Sequence, residues 1–183
     1  MDNFYDLLSQ NIRRPGIDSL INWLRSVEFE KCPASTKYHG AYEGGLVEHS
    51  INVFERLKLL ATFMNGVPSY TMETMAIVAL LHDVCKFDCY KKSGDGYEFN
   101  RQHLPLGHGE KSIFLIQQHM KLTYDEMIAI RWHMGGWDAA AKGGDQDYGT
   151  AQSVPLALLL HDADMLASRI DEGEVASYDQ RSW

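Results

Sequence analysis

Along the chain, apolar residues recur at intervals of three and four far more often than at two, the spacing of helices that bury one face. Ile17, Leu20, Ile21 and Leu24 predict a short amphipathic helix over residues 17–27. Leu46, Ile51, Val53, Phe54, Leu57 and Leu60 predict a longer one from Gly45 to about Phe63. Residues 71–85 are apolar on nearly every side, as expected of a helix at the centre of a bundle. Further helices are predicted over 112–120, from Thr123 to about His133, and from Ser153 and Pro155 to about Ile170. Thr123 and Glu126 have the spacing of a capping box.

Two stretches depart from this pattern. Residues 89–101 alternate weakly around Ser93-Gly94-Asp95-Gly96, which predicts a small β-hairpin. Residues 134–152 form a long connection with Gly135, Gly136, Gly143, Gly144 and Gly149, and connections of that length are usually functional or disordered. Residues 171–183 are polar and read as a loosely held tail. The expectation is an all-α, single-domain helical bundle over residues 1–170, followed by that tail.

Composition narrows the function classes. The 183 residues suit one domain, and 45% apolar with 23% charged residues excludes wholesale disorder. A net charge of −8 argues against a nonspecific binder of nucleic acid or of anionic membranes. The longest apolar runs, 75–81 and 154–160, fall far short of the roughly 20 residues that span a bilayer. The acidic start of the chain has no apolar signal-peptide core. Cys32, Cys85 and Cys89 cannot all pair with one another, which suits a reducing cytoplasm.

The informative anomaly is polar residues on faces that should be apolar. His49 shares a stripe with Leu46, Val53 and Leu57. His82 follows Met75, Val78 and Ala79, with Asp83 beside it, and Asp164 follows Ala157 and Leu160. An unpaired carboxylate in such surroundings costs several kcal/mol or is forced neutral. A divalent cation compensates directly, because imidazole nitrogens and carboxylate oxygens are its ligands.

These residues sit in five ordered motifs: residues 38–50 (Tyr38-His39-Gly40 through Gly44-Gly45-Leu46-Val47-Glu48-His49-Ser50), Leu81-His82-Asp83-Val84-Cys85-Lys86, Gly107-His108-Gly109-Glu110-Lys111, Arg131-Trp132-His133, and Asp162-Ala163-Asp164-Met165. The order H…HD…H…H…D resembles the HD superfamily of metal-dependent phosphohydrolases, over about residues 38–168. The resemblance implies an HD-type helical domain in which His49, His82, Asp83 and Asp164 hold a first metal. His108 and His133 match the extra histidines of two-metal members, where the Asp of the His-Asp pair bridges both ions. Asp162 is a rival to Asp164, because His161-Asp162 is a second His-Asp pair. Cys85 stands where relatives often have glycine.

The implied cofactor is one or two divalent ions, with Mn, Fe, Co, Ni or Zn all compatible with the ligand set. The implied reaction is hydrolysis of a small nucleotide-like phosphomonoester or phosphodiester by in-line attack of a metal-bound hydroxide, with Asp83 orienting the nucleophile. Lys86, one turn beyond His82, is a candidate phosphoryl clamp, against the alternative of a helix-end lysine. Lys111 in the first turn of a helix, His39 before a glycine-rich bend, and Trp137 in a lid stacking on a base are candidate substrate contacts. Two alternatives share the scaffold: a di-iron oxygenase, and a 3′-to-5′ exoribonuclease, which the acidic charge disfavours. The expected partner is a small phosphorylated molecule, with no membrane and with nucleic acid disfavoured.

Overall fold

The computed structural model describes residues 4–64 and 68–173. Among them the chain forms α1 (Phe4–Asn11), α2 (Ile17–Ser26), α3 (Gly45–Phe63), α4 (Met72–Leu81), β1 (Tyr90–Ser93), β2 (Gly96–Phe99), α5 (His108–Gln117), α6 (Tyr124–Trp132), α7 (Ala139–Lys142), α8 (Gln146–Ala151) and α9 (Pro155–Leu166). The architecture is all-α, with one antiparallel hairpin pairing Tyr90 with Phe99 and Ser93 with Gly96. No helix among the described residues is long and apolar enough to cross a membrane.

The centre is α4, which buries every residue from Met75 to Leu81 and has no solvent face beyond its first turn. It packs against α3, α1 and α6, while α9 lies against α3 and α6. Helix α1 was not anticipated, although Phe4, Leu7, Leu8 and Ile12 follow the three-and-four spacing and all are buried. Helix α5 begins at His108, four residues before the apolar pattern does. Thr123 and Glu126 complete both halves of the expected capping box.

The long connection 134–152 is not an extended loop. It contains a 3₁₀ turn, Gly135–Trp137, and the short helices α7 and α8, capped by the side chains of Asp138 and Asp145. Asp138 also accepts from Arg131 at 3.1 Å, which ties the segment to α6.

The expected loose tail is held at its start. Asp171 pairs with Arg56 and Glu172 with His49 and Asn52, all on α3. Most of the tail, residues 174–183, lies outside the described residues.

A buried ion pair fastens the N-terminal segment to α6. Arg14 donates to both oxygens of Glu126 at 2.5 and 2.9 Å and to the Lys121 carbonyl at 2.9 Å. Glu126 is wholly buried. Arg14→Ala leaves that carboxylate without its cation, and we expect a loss of about 3 kcal/mol, read as a lower urea midpoint.

Candidate metal centre

The His-Asp pair lies where α4 ends. Adjacent side chains on an α-helix diverge by about 100°, so a continuing helix would point the two apart. Instead Asp83 leaves the helical conformation and the chain tightens into a 3₁₀ turn, Val84–Asp88. Both His82 and Asp83 are thereby buried, at 0% and 2% exposure.

His133 occupies the corresponding position just after α6, and His108 opens α5. Close approach of those helices needs Gly109, where a Cβ would lie 2.4 Å from the Arg131 carbonyl oxygen. His49 comes from the second turn of α3. The chain before α3 folds back so tightly that a Cβ on Gly45 would meet the Gly40 carbonyl at 2.2 Å. That return sets the His39 ring 4.9 Å from His49.

One carboxylate lies between the imidazoles. Asp83 Oδ2 faces His82 Nε2 at 3.4 Å and His49 Nε2 at 3.9 Å. Its Oδ1 faces His108 Nε2 at 2.5 Å and His133 Nε2 at 3.4 Å. Asp164 Oδ1 lies 3.2 Å from His49 Nε2. Asp162 is exposed, so the geometry selects Asp164 of the two. His49 with His82 and Asp83, His82 with His133 and Asp164, and Asp83 with His108 and His133 each form a group whose ligand atoms lie within 4.8 Å of one another.

Three of the four rings are fixed at their outer nitrogen. His82 Nδ1 donates to the Ala79 carbonyl at 2.8 Å and His133 Nδ1 to the Ile130 carbonyl at 2.7 Å. His49 Nδ1 donates to Glu172 at 3.1 and 3.2 Å, and His108 Nδ1 lies 3.4 Å from Cys85 Sγ. With Nδ1 protonated, a neutral ring turns its Nε2 lone pair inward. The Nε2 atoms of His39, His49, His82 and His133 are buried without a hydrogen-bond partner. Buried polar atoms rarely go unpartnered. Donors about 2.1 Å from a shared ion stand about 3.0–3.4 Å apart, close to most of the separations here. The residues therefore fit a divalent cation.

The electrostatics are those of a tightly coupled cluster. Burial pushes the Asp83 carboxyl up, but Lys86, His82 and His108 outweigh it and hold it well below the usual carboxylate range. Asp164 is also held low, because His49 and its neighbours overcome burial. Burial depresses the His49 imidazole, yet the Asp164 and Glu172 carboxylates bring it up to about 9, so a cation binding there displaces a proton from Nε2. Burial lowers His108 despite Asp83, and it raises the Cys85 thiol, which stays protonated.

The other candidates separate. Lys86 reaches the cluster, its Nζ 2.6 Å from Asp83 Oδ2. His39 borders it, with Glu172 and His49. Lys111 does not present its ammonium to a ligand: it is 1% exposed, bonded to Asp88 and set 5.4 Å over the Phe87 ring. It lies in the first turn of α5, as expected, but its face turns into the fold. Trp137 is 58% exposed, with the Lys142 ammonium 5.2 Å above its ring, and among the described residues none of the hydrogen bonds or ring contacts joins it to the clustered histidines. Glu172 escaped the sequence reading, because an acidic residue in a polar end carries no local signal of a distant histidine. The helices of 134–152 did have one, in Asp138 and Asp145 placed as N-caps. Lys111→Met is expected to lower stability by about 1–3 kcal/mol in urea denaturation, by leaving Asp88 without its cation, although Asp88 still accepts from Leu104 N, while the metal content of the purified protein stays unchanged.

Residues 46–169 match the family model of the HD domain. The chain is also similar to the dihydroneopterin 2′,3′-cyclic phosphate phosphodiesterase of Methanocaldococcus jannaschii, at 31% identity over 163 residues. That alignment covers 85% of this chain and 59% of that protein. No solved structure matches the chain. The ordered histidines and aspartates, gathered at one buried point and matched over most of the sequence, make this chain a member of the metal-dependent HD domain family.

Proposed function

We propose that this chain is a divalent-metal-dependent phosphohydrolase that opens a phosphodiester on a small molecule carrying a nucleotide-like or pterin-like ring. One ion would be held by His49, His82, Asp83 and Asp164, and a second by Asp83, His108 and His133. Mn, Fe, Co, Ni and Zn all accept these nitrogen and oxygen donors. The observation that carries the reading is the placement of Asp83, with Oδ2 towards His49 and His82 and Oδ1 towards His108 and His133. A carboxylate shared in this way suits two cations about 3.5–4 Å apart, the arrangement used for in-line displacement at phosphorus. The cyclic phosphodiester named for the relative supports the same bond type. The net charge of −8 disfavours a polyanionic substrate such as RNA.

When bound, the ions supply Lewis acidity to the phosphoryl oxygens and to the attacking water. The chain's own groups supply position. The Nδ1 partners lock His49, His82 and His133 with Nε2 inward, so most of the donor set needs little rearrangement. Lys86 gives one of its N–H groups to Asp83 and has two more for a phosphoryl oxygen. Burial weakens its charge, but Asp83 more than offsets this and holds Lys86 cationic. His39, with an unpartnered Nε2 beside His49, is a hydrogen-bonding group for the substrate.

Elemental analysis of the purified protein, paired with phosphate-ester assays on 2′,3′-cyclic nucleotides and bis(p-nitrophenyl) phosphate, tests the reading. We expect Asp83→Ala to lose both ions and at least about a thousandfold in turnover, the upper end of what removing one electrostatic partner costs. A mutant that kept its activity would end the proposal. So would a parent protein that held iron, consumed oxygen and released no product of ester hydrolysis. Lys86→Met is expected to keep its metal and lose about a hundredfold in kcat/KM.

A further inference from the structure

Beyond α9 the chain makes a wider π-helical turn, Ala167–Asp171, closed where Glu172 N donates to the Ala167 carbonyl at 3.0 Å. The extra residue in that turn redirects the chain onto α3. There three positions on one side of α3 receive it. Arg56 donates from Nε to Asp171 at 2.8 Å, Asn52 Nδ2 donates to Glu172 Oε1 at 3.0 Å, and His49 Nδ1 lies 3.1 Å from that same oxygen. The Glu172 side chain is 5% exposed. It lies past residue 169, the last that the HD domain model matches.

The four rings differ in what holds them. His82 and His133 lean on carbonyls three residues back in their own helices, and His108 lies against a thiol. His49 is the one among them whose outer nitrogen is held by a charged side chain from a remote segment. A carboxylate on Nδ1–H fixes the ring's rotation and tautomer and strengthens Nε2 as an electron-pair donor. We infer that Glu172 is a positioning residue for the ion held by His49, and that residues 167–172 are a strap whose docking on α3 and the binding of that ion reinforce each other. By linkage, whatever the docked strap adds to ion affinity, the bound ion returns to the docking of the strap. The inference rests on the metal centre proposed above, not on the substrate.

The test is titration of the full chain with Zn²⁺ or Mn²⁺ against a chromophoric chelator, with hydrogen exchange of residues 167–172 followed in parallel. Glu172→Ala is expected to weaken one ion by about 10- to 100-fold and leave the other at parent affinity. Glu172→Gln keeps an oxygen acceptor for Nδ1–H and should recover most of the loss. Arg56→Ala, at the half-exposed end of the strap, should weaken the same ion by a smaller factor. Lys58→Ala on the same helix should change nothing. Zn²⁺ should slow exchange in the strap of the parent protein but not of Glu172→Ala. A role confined to stability would lower the melting temperature while leaving affinity untouched, and that result overturns the inference. Loss of a third ion with the other two retained would also overturn it, by making Glu172 a ligand beside His39. If Glu172→Ala does not fold, Glu172→Gln and Arg56→Ala give the affinities. A parent protein that binds its ions but cleaves no phosphoester would sink the proposed function and leave the strap standing.

Discussion

Carboxylates taken out of water impose the constraint around which the molecule is arranged. Asp83 is 2% exposed and Asp164 is enclosed by imidazoles, and each would cost several kcal/mol as an isolated ion in the interior. Histidines, Lys86 and the cation-binding geometry supply the opposite charge. Lys86 and His82 are close to Asp83 in sequence, but His49, His108, His133 and Asp164 are not, so the cluster is complete only when α3, α4, α5, α6 and α9 are all in place. The apolar core and the polar centre therefore specify the same arrangement, which is what gives a sequence one native state rather than several.

The backbone meets that demand at helix ends rather than in helix middles. His82 and His133 both follow the last residue of a helix, and His108 starts one. At such places the chain changes direction within a residue or two, and a side chain can be aimed where a regular helix would not send it. The carbonyl three residues earlier is then within reach of Nδ1, so each helix end fixes the ring it carries. His49 sits inside a long helix without that option, and Glu172 fills the gap.

How much of this was legible in the sequence follows from which forces are local. Helix α3 and the hairpin have the predicted positions because spacing and turn residues determine them nearby. Polar residues on apolar stripes pointed to His49, His82 and Asp164, which the structure brings together. The end of α4 was less legible, because residues 71–85 stay apolar through the change from α-helix to 3₁₀ turn. Glycine counts misread residues 134–152, where aspartate caps decide the local structure. Lys111 shows the limit of position on a helix: its place in the first turn was right, yet Asp88 and Phe87, remote in sequence, determine where its ammonium goes.

The enclosure of α4 from Met75 onward has a bearing on how such a protein can diversify. From Met75 to Leu81 every side chain is packed, so almost any replacement there leaves a void or an overlap. The helix that delivers the His-Asp pair is thus the part of the chain with least freedom to drift. New substrate preferences would have to arise at its margins, in the hairpin and the capped segment after α6, where exposed residues can change without disturbing the centre. A rigid middle with a variable rim lets one inherited chemistry be redirected to different molecules.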